Sequence, residues 1–289
     1  MATKTWIGDD TGNEGLWATA ANWSGASVPV SGDDLMFDGN ANYAVESSPA
    51  GAADDFDSIT ITSDFAYDFG TSGAHIIFSG AADNGADLLS IDASSCPTYC
   101  KITGLFPDTT ILGSGTAATS CVISGTFTLL NLIKGTVTVV TGSTITTMNM
   151  LYSSTQASDS NITIPTGCTV TNIFQRGGVA TCGSAIATRL DLDAGTFTHT
   201  DGNTGTLNQR GGTYYWNAEG HTITQVNLFG GTLDCRDNGS AKTITNMDMW
   251  PSSVAYFNNG GQNIVLTNPA NYYGGTIVPD KASAFQINQ

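Results

Sequence analysis

"GGTYYWNAEGHTITQVNLFGGTLDC", residues 211–235, leaves one glycine pair, crosses two short apolar stretches and returns to another glycine pair. Within it Ile223 sits between Thr222 and Thr224, and Val226 and Leu228 flank Asn227. A period of two buries one strand face and hydrates the other. The phrase recurs. Apolar residues ahead of comparable turns include Leu130 and Leu132, Met148 and Met150, Ile173, Leu190 and Leu192, Leu207, Val226 and Leu228, and Met247 and Met249. A second strand follows the glycines, as in "TFTHT", "TYYWN" and "TLDC".

The first members of these pairs stand at 130, 148, 173, 190, 207, 226 and 247, in steps of 17 to 25 residues. Strand-containing repeats of about twenty residues indicate a solenoid, in which a coil buries its inner face only by stacking on its neighbours. The expected fold is therefore all-β, a single-chain β-helix (β-solenoid). A β-sandwich also spaces short strands regularly, but Gly-Gly-Thr in register with an apolar pair favours coils. A propeller blade would need a repeat about twice as long.

Composition agrees. Gly numbers 34 and Thr is more abundant still, whereas charged residues make up 12%, about half the usual share. Thr suits strands and Gly suits the turns between them. The 25 acidic and 9 basic residues give a formal charge of -16, which repels nucleic acid and anionic membranes. No run approaches a membrane span, and "MATKTWIGDDTGNEG" has no signal-peptide pattern, so the expectation is synthesis in a cytoplasm.

Three segments are expected. Residues 1–58 carry three of the five tryptophans and read as an aromatic N-terminal cap or attachment segment. Residues 59–250 read as coils, irregular to about 128, with a protruding loop within 80–128, and regular after. Residues 251–289 bring back aromatics and prolines and read as a C-terminal cap and tail. Caps of this kind shield strand edges that would otherwise template aggregation.

The opening also carries a likeness. "W-x-G" at 6–8, "LW-x-x-x-x-NWS" at 16–24 and "VP-x-x-GDD-x-x-F" at 28–37 resemble the start of β-helical repeat proteins encoded among bacteriophage structural genes. Autotransporter-like passengers share the style. The resemblance implies a β-helix and supplies no catalytic residues.

Candidate chemistry is sparse. Asp191, Asp193 and Asp234 are the acidic residues to test for glycan cleavage, which needs two carboxylates facing across a groove. Asp33–Asp34 and Asp54–Asp55 read as polar turns. His75, His199 and His221 fit no Ser-His-Asp order or HExxH pattern, although stacking would bring the last two near each other. The pair in "CPTYC", Cys96 and Cys100, lacks the second pair or His that zinc needs. No cofactor and no metal is expected, and most thiols should be buried as small apolar groups. Gln175–Arg176 and Gln209–Arg210 precede glycine pairs at one repeat position, either as a contact ladder or as corner residues joining coils. With Trp6, Trp17 and Trp23 they are the candidate partner contacts. Alternation places at least one of Tyr214, Tyr215 and Trp216 on the outside.

These readings lead to the expectation of a non-enzymatic virion structural protein. It would be a decoration or cement protein on the outer capsid, trimeric, with the major capsid protein and its own copies as partners. The alternatives are a tailspike-like β-helix that binds or cleaves glycan, and a secreted adhesin.

Overall fold

The structure is a computed structural model. It describes residues 2–49, 56–71, 76–78, 88–92, 100–102, 105–113, 120–151, 160–236, 241–257, 264–279 and 287–288. These residues form short strands, one 3-10 turn at Ala20–Asn22 and no α-helix. The strands stack in parallel as coils, and the fold is a β-solenoid. The chain divides into two compact units, Met1–Thr144 and Ile145–Gln289, a boundary inside the segment read from sequence as coils.

In the first unit, Thr3–Thr5, Asp34–Phe37, Ser58–Ile61, Leu88–Asp92, Leu105–Gly113 and Thr126–Leu132 pair in parallel in that order. Ser120–Ile123 pairs with Gly135–Val139, and Ile76–Phe78 with Cys100–Ile102. Strand pairing thus begins at Thr3, inside the segment 1–58 that reads from the sequence as a cap. The early strands are three or four residues long and lie between aromatic, glycine-rich loops, which hides their alternation.

The opening motif residues hold those loops. Trp6, Trp17 and Trp23 are all buried, with ring centroids 5.0 Å apart for Trp6–Trp23 and 4.7 Å for Trp17–Trp23, both edge-on. The indole N–H groups, otherwise costly to bury, donate from Trp6 to the Tyr43 carbonyl and from Trp23 to the Trp17 carbonyl. Asn22 of "NWS" is buried and donates to the Asn13 and Leu16 carbonyls, while its Oδ1 accepts from the Asp10 amide. Asp33 of "GDD" accepts from the Ala2 and Val30 amides, so it ties a turn ahead of the strand Asp34–Phe37. Ser24 bonds Thr5 on both sides: its amide donates to the Thr5 carbonyl and its Oγ accepts from the Thr5 amide.

In the second unit the chain alternates between two sheets. The first contains Thr169–Gln175, Ile186–Leu192, Thr204–Gln209, Thr222–Leu228 and Lys242–Met249. The second contains Ser160–Ile164, Val179–Cys182, Thr196–His199, Thr213–Trp216, Gly231–Asp234, Ser253–Tyr256 and Thr276–Val278. The repeat seen in the sequence is the register itself. Ile173, Leu190, Leu207, Val226 and Met247 are aligned partners and all are buried. Ala180, Phe197, Tyr214, Leu233 and Ala255 form the matching inner column of the second sheet. Each large apolar side chain so buried contributes about 1.5–3 kcal/mol.

Glycine corners separate the sheets. Gly178, Gly195, Gly212 and Gly231 all have positive φ, and a Cβ on Gly212 would stand 2.5 Å from the carbonyl oxygen of Gly195 in the previous coil. Only a residue without Cβ fits both demands. The strand Ile186–Leu192 carries one extra residue relative to both neighbours, a bulge that leaves Ala187, Thr188 and Arg189 exposed.

Candidate functional site

The glutamines expected at the corners are there, and they face inward. Gln175 is buried, and its Nε2 donates to the Gly178 carbonyl at 3.0 Å and to the Thr196 carbonyl of the next coil at 3.1 Å. Gln209 repeats this with Gly212 at 3.1 Å and Thr232 at 2.8 Å. Both are corner ties between coils, and neither offers a surface to a partner. Trp6, Trp17 and Trp23 are equally enclosed. As contact residues these five are corrected by their burial: backbone carbonyls hold the glutamine Nε2 groups, and neighbouring rings enclose the indoles. Arg176 and Arg210 are exposed.

The acidic residues screened for glycan chemistry are committed elsewhere. Asp191, almost buried, accepts from Arg189 Nε at 2.6 Å and from Asn208 at 2.8 Å, with Arg210 at 3.6 Å. Burial disfavours its charge, but these hydrogen bonds and the two guanidinium groups outweigh that and hold its pKa below the usual carboxylate value. Asp234 on the other sheet balances burial against Arg236 with the same outcome. Asp193 pairs with Arg210 at 3.0 Å. A glycosidase acid needs the opposite shift.

Stacking brings His199 and His221 within electrostatic reach of each other, while each ring has hydrogen-bond partners of its own. His199 is buried, with Nδ1 2.9 Å from the Tyr214 hydroxyl and Nε2 3.0 Å from the Ser184 carbonyl. Burial lowers its pKa to about 4, slightly offset by the Ser184 carbonyl. His221 lies nearer the surface, 2.7 Å from Asp201. Cys121, Cys182 and Cys235 are buried, and burial pushes the Cys182 thiol up to about 12. Among the described residues no group of three metal-binding side chains occurs. His75, Asp54, Asp55, Cys96 and the loop expected within 80–128 lie, wholly or in part, outside the described residues. No helix among them is long and apolar enough to cross a membrane.

The most organised surface is the outward face of the first sheet in the second unit, which reads as three columns. One contains Asn172, Arg189, Thr206, Gln225 and Asn246. The middle one contains Phe174, Asp191, Asn208, Asn227, Asp248 and Asn271. Here Asn208 donates to Asp191, Asn227 donates to Asn208 at 2.7 Å, Gln225 donates to Asn227 and to Asp248, and Asn271 donates to Asp248. The third column continues from Arg210 into Phe229, Trp250 and Tyr273. Phe229 and Trp250 stack at 4.3 Å, Trp250 and Tyr273 at 5.4 Å, and the Arg210 guanidinium lies 5.8 Å from the Phe229 ring. Phe229 is 41% exposed and Tyr273 60%.

Sequence reading missed this face. The signal was one residue beyond each apolar pair, in "VNLF", "MDMW" and "NYY". No family model, curated protein or solved structure matches the chain.

Proposed function

We propose that this chain is a non-enzymatic structural protein of a virion exterior, a decoration or cement protein seated on the outer capsid. The observation that carries the non-catalytic part is the use made of the coil carboxylates. Asp191, Asp193 and Asp234 are each paired to arginine, so they serve as fasteners between and along coils. The glutamines and glycines of the corners are likewise spent on stacking. A coil stack tied in this way supplies stiffness. The capsid setting rests on the opening motif and on the charge of -16, which suits a surface facing away from packaged nucleic acid. The partners would be the major capsid protein and further copies of the chain, as a trimer.

Mass spectrometry of density-gradient fractions after lysis of the source culture tests this. Many copies per particle in the head fraction are expected. A few copies travelling with tails would replace the proposal by a spike, and recovery on cell envelopes would replace it by an adhesin.

A further inference from the structure

We infer that the outward face of the first sheet in the unit Ile145–Gln289 binds a neutral polysaccharide that runs across successive coils, along its Asn208–Asn227 column and the Phe229–Trp250–Tyr273 column. The inference stands apart from the capsid reading.

The first argument is residual hydrogen-bonding capacity. A side-chain amide has two N–H donors and two acceptor lone pairs. Asn208 and Asn227 each spend one donor and one lone pair on the ladder, to Asp191 and from Asn227, and to Asn208 and from Gln225. Each is half-buried and keeps one donor and one acceptor for a ligand. Hydroxyl groups, which rotate and both donate and accept, can use both at the adjacent Asn208 and Asn227 rungs, and can donate to the carboxylates of Asp191 and Asp248 on either side. The ladder also fixes the amides before binding, which removes part of the ordering cost.

The second argument is charge. Arg176 and Asp193 precede Arg210 in the third column, so across the three columns Arg176, Arg189 and Arg210 are matched by Asp191, Asp193 and Asp248, three against three, although the chain carries -16. A balanced face neither repels a neutral polymer nor selects an anionic one.

The third argument separates a glycan from a second copy of the chain. Protein interfaces place apolar anchors at the centre and polar groups at the rim. This face does the reverse: the Phe229, Trp250 and Tyr273 rings line the turn-side column, and from Asp191 to Asn271 the middle is amides and carboxylates. Burying that middle under another sheet would strand polar groups at about 1–3 kcal/mol apiece. An extended glycan advances roughly one sugar per strand spacing of about 4.8 Å. It can set hydroxyls over the amides and C–H surface against the ring edges and the open Tyr273 ring.

The test is native affinity electrophoresis of the full chain in gels containing dextran, galactomannan or hydroxyethyl cellulose, with polygalacturonate as the anionic contrast. At least one neutral polymer should retard it. Tyr273→Ala and, separately, Asn227→Ala should weaken that retardation about tenfold with thermal melting unchanged for at least one of them. Three results would overturn the inference: retardation by polygalacturonate alone, no retardation at all, or retardation indifferent to both variants. Sedimentation velocity showing a dimer that Tyr273→Ala dissolves, without retardation, would give the face to a second copy instead.

Discussion

Gln209 Nε2 donates to the carbonyl of Thr232, at 2.8 Å, and so ties one glycine corner to the coil above it. The same nitrogen holds its own corner through Gly211 and Gly212. Gln209→Ala removes these bonds and leaves unfilled space, at a cost of about 2–4 kcal/mol. Urea unfolding should show a lower midpoint, whereas Arg210→Ala, at an exposed ion pair, should shift stability by no more than about 1 kcal/mol.

The corner glycines separate backbone strain from steric collision. Gly212 has φ +65° and no room for a Cβ, while Gly220 has φ +67° and nothing within 4 Å. Gly220→Ala should cost about 1–2 kcal/mol, the price of a left-handed backbone alone. Gly212→Ala should cost at least about 2 kcal/mol more, because the Gly195 carbonyl must move. Thermal melts of the two variants measure the difference.

His199 imposes a pH dependence of definite sign. Its pKa falls from 6.5 unfolded to about 4 folded, because burial disfavours the imidazolium. The unfolded chain therefore binds the proton first. The stabilisation is whole above about pH 6.5 and is lost as pH falls toward 4, by on the order of 3 kcal/mol. His199→Gln should be less stable at pH 7 and should flatten the urea midpoint between pH 6.5 and 4. An unchanged slope would show that other groups set it.

Tyr214 and Tyr215 are neighbours with opposite fates. Tyr214 is buried, stacked on Phe197 with centroids 5.6 Å apart, and bonded to His199, whereas Tyr215 is 39% exposed. Tyr214→Ser should cost about 3–5 kcal/mol. Tyr215→Ser should stay within about 0.5 kcal/mol of the parent in the same denaturation assay.

The inner columns were legible because burial forces a period of two and stacking forces a period of one coil; Leu190 and Leu207 obey both. The exposed member of Tyr214–Trp216 follows from the same alternation. The early strands were not legible, since Thr3–Thr5 and Asp34–Phe37 are too short to show a period and their loops carry the bulk of the aromatic side chains. The inward turn of Gln175 and Gln209 was open in the sequence, because a polar residue beside glycine suits surface and corner alike. Their alignment with Leu192 and Leu228 decided it. The ring column escaped because solvent-facing residues obey no rule of burial, and only the register lines up Phe229, Trp250 and Tyr273.

The parallel register has an evolutionary corollary. Thr196 pairs with Thr213, Phe197 with Tyr214, and Ile186 with Thr204, so excising residues 196–212 would join Gly195 to Thr213 with the left-handed corner and the inward alternation intact. Duplicating the segment would be equally seamless. Such a chain can be lengthened or shortened one storey at a time, and a lineage could retune its reach by copying a few dozen nucleotides instead of inventing a new surface.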